Sequence, residues 1–187
     1  MASDGIHEMA VTDDSILTAS FYAPCPAGLA YSGSVETRSR GNERDLPGEA
    51  EAWQRLHAIL LRLTPDLADK PGYFEEGWTA KDAVAHIGTW MAEGAQQLRQ
   101  LAAGTYREGE LDVDAANARF LAAMRDVPLE TVHLQASAAR SQLLSAWHEL
   151  REVTPEARFW VRKAGPDHVQ EHLPRLEEWV DQLSGTA

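Results

Sequence analysis

The 187-residue chain has a single cysteine, Cys25, so no disulfide can form within it. A reducing cytoplasm is the default compartment for such a sequence. Positive charge is scarce as well: 17 Lys and Arg stand against 29 Asp and Glu, a formal net charge of -12. No basic stripe is present to meet phosphates, which argues against nucleic acid as a partner. An anionic membrane surface is disfavoured for the same reason. No stretch reaches the roughly eighteen consecutive apolar residues of a membrane span. The N-terminus MASDGIHEMAVTDDS lacks the basic start and apolar run of a signal peptide. What is present is 44% hydrophobic and 25% charged residues, the balance of a water-soluble domain with a modest core.

The pattern changes near Pro47. Residues 1–47 scatter Gly, Ser, Pro and Asp without sustained periodicity. Their one apolar patch, SFYAPCPAGLAYSG, is broken by Pro24, Pro26 and Gly28. We expect a flexible N-terminal extension there, with Cys25 as an unremarkable thiol, and a helical domain over 48–187. Within the domain, Trp53, Leu56, Leu60, Leu63 and Leu67 predict a first helix over 49–67. Thr79 with Asp82 three residues on reads as a capping box, opening a helix that runs to Ala103 before Gly104. A shorter helix is expected over 112–125 and a long one over 129–150. Pro166 and Asp167 suit the first turn of a last helix, and Pro174 predicts a kink in it. The fold class expected is all-α: an antiparallel four-helix bundle, with a short extra helix in the connection between the second and third long helices.

Against this background the histidines stand out. His168 and His172 are spaced i, i+4 in PDHVQEHLPRLEEWV, which puts both imidazoles on one helix face. By itself such a pair is as a rule a surface or core-edge feature. Here both lie within or beside the apolar arc of Val169, Leu173, Leu176 and Trp179. His86, in WTAKDAVAHIGTW, lies at the polar border of its helix's apolar stripe, near Trp90 and Glu93. Each of the three falls within about 9 Å of its helix start at 1.5 Å per residue. If the second and fourth long helices are parallel, the three meet at one end of the bundle. Three neutral imidazoles converging on a point form an open divalent-metal site, with a position left for water or substrate. His133 and His148 point away from the core and His57 borders it, so none of them joins the site. Asn117 falls on the apolar face of the short helix, either bonding to local backbone and bracing a loop or lining a wet pocket, and Trp90 is a second candidate pocket-lining residue. Glu93 and Glu171 are candidate acid/base groups if they do not simply face solvent.

At these residues the chain resembles a known family. WTAKDAVAHIGTW, DVDAANARF and DHVQEHLPRLEEW are similar to the DinB-like superfamily, nearest the N-terminal domain of mycothiol-dependent maleylpyruvate isomerases. The likeness covers about residues 49–184. It implies a four-helix bundle binding a divalent metal, zinc or nickel, and places the metal histidines on His86, His168 and His172. It also implies a low-molecular-weight thiol, such as mycothiol, as co-substrate. Isomerases of this type carry a second, C-terminal domain, whereas this sequence ends at Ala187 without one. The expected function is therefore a small metal-dependent enzyme that transfers such a thiol to an electrophilic small molecule, or isomerises it. Two alternatives stay open: a metal-dependent hydrolase that detoxifies a reactive compound, and a non-enzymatic ligand-binding or stress-response bundle. The expected partner is a small molecule, and a homodimer stays open.

Overall fold

Proline opens three of the helices, at Pro65, Pro155 and Pro166, and threonine stands at the N-cap of three, at Thr64, Thr79 and Thr154. The computed structural model describes residues 43–74, 77–109 and 112–185. Cys25 and the apolar patch around it lie outside these residues. Helix α1 spans Glu49–Leu60 and α2 is a single turn, Pro65–Ala68. Helix α3 spans Ala80–Ala103, α4 Val113–Met124, α5 Leu129–Glu149, α6 Pro155–Ala164 and α7 Pro166–Leu183. Among the described residues there is no strand, only an isolated bridge between Pro71 and Thr79. None of the described helices is long and apolar enough to cross a membrane. The fold is an all-α bundle.

The expected helix over 49–67 is two elements. Pro65 forces Thr64 into extended backbone at φ -80°, ψ 159°, and the helix ends before it. The apolar stripe still serves the core, since Leu56, Leu60 and Leu63 are all buried. The capping box at α3 forms in both directions. Thr79 N–H donates to Asp82 Oδ2 at 2.9 Å, and Asp82 N–H donates to Thr79 Oγ1 at 3.1 Å. Gly104 closes α3 at φ 68°, the left-handed backbone that favours glycine.

Helix α6 did not figure in the sequence reading. Its signal is plain in retrospect. Thr154 caps it by accepting Ala157 N–H at 3.2 Å, Pro155 occupies the first turn, and Ala157, Trp160, Val161 and Ala164 are buried at helical spacing.

Pairs of touching residues set the helix directions. Arg55 pairs with Glu177 at 2.8 Å and Arg62 pairs with Asp181, so α1 and α7 run parallel. Gly88 lies against Ala136 and Gly94 against Leu143, so α3 and α5 run parallel. Gly94 also meets Ala164, Trp90 neighbours His168 and His86 neighbours His172, so α6 and α7 run antiparallel to α3. Glu49 bonds Arg140 and His57 faces His133, so α1 and α5 are antiparallel. The bundle is thus two parallel pairs packed head to tail, rather than four strictly alternating helices. The cause is the connection from Gly104 to Pro128. Helix α4 carries the chain back along α3, bringing Arg125 O within 2.9 Å of Lys81 Nζ before α5 begins.

Close helix approach depends on missing side chains. A Cβ on Gly94 would lie 2.5 Å from Ala164 Cβ, and one on Gly88 would lie 2.9 Å from Ala136 Cα. At the other end, Arg44 donates from Nη1 to Trp147 O at 2.6 Å and also to Leu150 O. Trp147 Nε1–H returns a bond to Arg44 O at 2.9 Å. The chain just before α1 is therefore fastened to the end of α5.

Candidate metal centre

His86, in the second turn of α3, meets His168 and His172 from the first two turns of α7. All three side chains are buried, at 3%, 1% and 2% exposure. His86 Nε2 lies 3.0 Å from His168 Nε2, and His172 Nε2 lies 3.1 Å from the same atom. The three form the one group of metal-ligating side chains among the described residues, with ligand atoms within 4.8 Å of one another. They meet for a different reason from the one the sequence suggested. The N-termini of α3 and α7 do not lie at one end. Helix α6 packs on α3 at Gly94, which lies against Ala164, and Trp160 Nε1–H reaches Tyr106 Oη, just past the end of α3, at 3.4 Å. The first turns of α7 are thereby delivered beside His86.

The donor set fits a divalent ion. With ion–nitrogen bonds of about 2.0–2.1 Å, neighbouring ligand nitrogens lie about 3.0–3.4 Å apart. A neutral imidazole nitrogen carries either one hydrogen or one lone pair. His168 Nε2 can therefore complete only one of its two close contacts as an ordinary hydrogen bond. A cation shared by three lone pairs satisfies all of them at once. Electrostatics agree with that. Burial holds the imidazoles of His86 and His168 well below the usual histidine range, and like charge within the group pushes the same way. Burial lowers His172 to about 4. All three are neutral at pH 7, the state in which histidine ligates metal.

Aromatic rings wall the triad. The segment before α3 supplies two of them: Trp78 lies 5.4 Å from His86 and Phe74 lies 6.5 Å from His172, centroid to centroid. Both Gly72 N–H, at 3.0 Å, and Tyr73 N–H, at 2.9 Å, donate to Trp78 O, which folds this segment over the histidines. Gly72 at φ 116° and Gly77 at φ 81° supply the turn backbone that other residues resist. On the other side Trp90 presents its edge to His86 and His168, and Phe120 of α4 packs on Trp90 at 5.5 Å. Asn117 Oδ1 accepts Trp90 Nε1–H at 2.9 Å. The polar residue on the apolar face of α4 thus satisfies the indole beside the triad.

The other candidates stand elsewhere. Glu171 is exposed and pairs with Lys163 at 3.3 Å. Glu93 is half-buried and accepts a bond from Gln97 Nε2 at 2.6 Å. His148 is exposed. His57 and His133 are half-buried and face each other across α1 and α5, their ring centres 5.2 Å apart. Tyr73 had no place in the sequence reading, yet it is fully buried and its Oη lies 3.2 Å from His172 Nδ1. Burial pushes its phenol pKa up, partly offset by Arg175. Its signal was weak, because it lies in a Gly-flanked turn that no helical period includes. Compared with family models, curated proteins and solved structures, the chain has no match.

Proposed function

We propose that the protein is a small cytoplasmic metal-dependent enzyme that transfers a low-molecular-weight thiol to an electrophilic small molecule, or isomerises that molecule. The reading is carried by one observation: three buried, neutral imidazoles converge through Nε2 with no carboxylate among them. An all-imidazole set suits zinc, copper, iron or nickel, and zinc or nickel is the ion that the motif resemblance suggests. Bound there, the ion would supply Lewis acidity and lower the pKa of a thiol or water donor in its remaining position. A soft thiol such as mycothiol is the co-substrate that the motif resemblance suggests. The chain's own residues do the rest. The neutral triad adds no negative charge, so the ion keeps its full electrophilicity. Phe74, Trp78, Trp90 and Phe120 limit water around the reacting groups and offer apolar faces to the electrophile. Asn117 holds Trp90 in place. Glu93 and Glu171, engaged with Gln97 and Lys163, receive no proton-transfer role here.

The test is a substrate screen on zinc- or nickel-loaded protein, with small electrophiles offered together with and without mycothiol. The reading expects consumption that needs both metal and thiol and is lost by orders of magnitude in His86→Ala. Turnover by loaded protein without any thiol would favour the hydrolase instead. A loaded protein that consumes nothing in either arm would overturn the enzymatic reading.

A further inference from the structure

Tyr73 reaches the triad from outside the helices that carry it, and its position is fixed from several sides. Its N–H donates to Trp78 O at 2.9 Å. Its own carbonyl accepts Arg175 Nε–H at 3.1 Å, and the Arg175 guanidinium lies 5.9 Å from the centre of its ring. Phe74 packs on that ring at 4.4 Å. The hydroxyl is therefore presented to His172 Nδ1 at 3.2 Å from a rigid support.

That contact controls which nitrogen of His172 is available. A neutral imidazole has one N–H. With the hydrogen on Nδ1, the Nε2 lone pair faces His86 and His168 and can ligate. With the hydrogen on Nε2, it cannot, and the N–H instead faces His168 Nε2 at 3.1 Å. A second partner that fixes the ligand's tautomer is a general feature of metal-bound histidine. A carboxylate in this place would accept only, and would add a negative charge. A phenol hydroxyl can either accept or donate, so it pairs with Nδ1 in both tautomers.

Resting on the metal-site reading above, we propose that Tyr73 is a positioning residue for ion binding. Its oxygen accepts the His172 Nδ1–H bond when the ion is held. Its hydroxyl turns to donate to Nδ1 when the ion leaves. One proton leaves Nε2 and one arrives at Nδ1 on loading, so His172 itself takes up and releases none on balance. His172 Nδ1 therefore keeps the Tyr73 oxygen as its hydrogen-bond partner in both states.

The experiment measures Zn2+ affinity by chelator competition in the wild-type chain and in Tyr73→Phe, which keeps the ring and removes the hydroxyl. Alongside it, nitrogen-15 histidine NMR of the wild-type chain reads the His172 tautomer with and without Zn2+. The expected results are a 10- to 100-fold weaker Kd in the variant and a switch from Nε2–H to Nδ1–H on loading. The same Kd in both proteins would overturn the role of Tyr73 while leaving the metal site standing. So would a His172 tautomer that does not change, and that measurement stands even if the variant fails to fold. Wild-type protein that binds no Zn2+ would instead overturn the metal site on which the proposal rests.

Discussion

The metal-free protein should lose stability on mild acidification, and the triad sets the amount. Burial lowers the folded-state pKa of His172 from 6.5 to about 4. In the unfolded chain this histidine titrates near 6.5. Above that pH both states are neutral there and the group contributes no pH dependence. As pH falls below 6.5 the unfolded state takes up the proton first, so stability drops until about pH 4, where the folded state titrates too. With the imidazole brought from 6.5 down to about 4, linkage at about 1.4 kcal/mol per pH unit makes the loss by pH 4 roughly 3 kcal/mol. His86 and His168 are lowered in the same direction by burial, so they add to the loss. Roughly 3 kcal/mol is a large share of a typical domain's stability. The assay is urea unfolding in the presence of a chelator, from pH 7.5 to 4, on the wild-type chain and on His172→Gln. Carboxylates titrate in both proteins and cancel in the difference. The stability advantage of wild type over the variant should shrink by roughly 3 kcal/mol across this range. A difference that stays flat with pH would refute the claim that His172 is held neutral by its burial.

Four further outcomes are expected. Gly94→Ala should cost about 1–3 kcal/mol in chemical denaturation, because its Cβ would meet Ala164 at 2.5 Å and α6 has to yield. Deleting residues 1–42 should leave the thermal midpoint nearly unchanged, whereas Arg44→Ala should lower stability by about 1–3 kcal/mol through the two carbonyls it serves on α5. Cys25→Ser should retain zinc binding in full by titration, since the donor group comprises His86, His168 and His172.

Much of this site was legible because its signals were local. The i, i+4 spacing of His168 and His172 survives any bundle arrangement, and the capping box at Thr79 fixes how far along α3 His86 lies. Helix directions were not legible in the same way. The connection from Gly104 to Pro128 is compatible with a short hop or a full return, and only the packing of α4 on Trp90 decides between them. The convergence of the histidines was anticipated on the wrong topology. It holds because α6 offsets α7 along an antiparallel α3. Pro65 shows the opposite case: the apolar spacing runs through to Leu67, but the proline in the sequence marks where the helix breaks. Tyr73 belongs to a turn where no period operates, so only three-dimensional contact reveals it.

The central claim is that His86, His168 and His172 hold a divalent ion. The most direct measurement is elemental analysis, with Zn2+ and Ni2+ titration, on the wild-type chain, on each single alanine variant of the triad, and on His133→Ala and His148→Ala. The account predicts about one tightly held ion per chain, lost or greatly weakened in all three triad variants and unchanged in the two controls. A wild-type protein that neither contains nor tightly binds either ion, or one whose ion survives loss of His168, would contradict it.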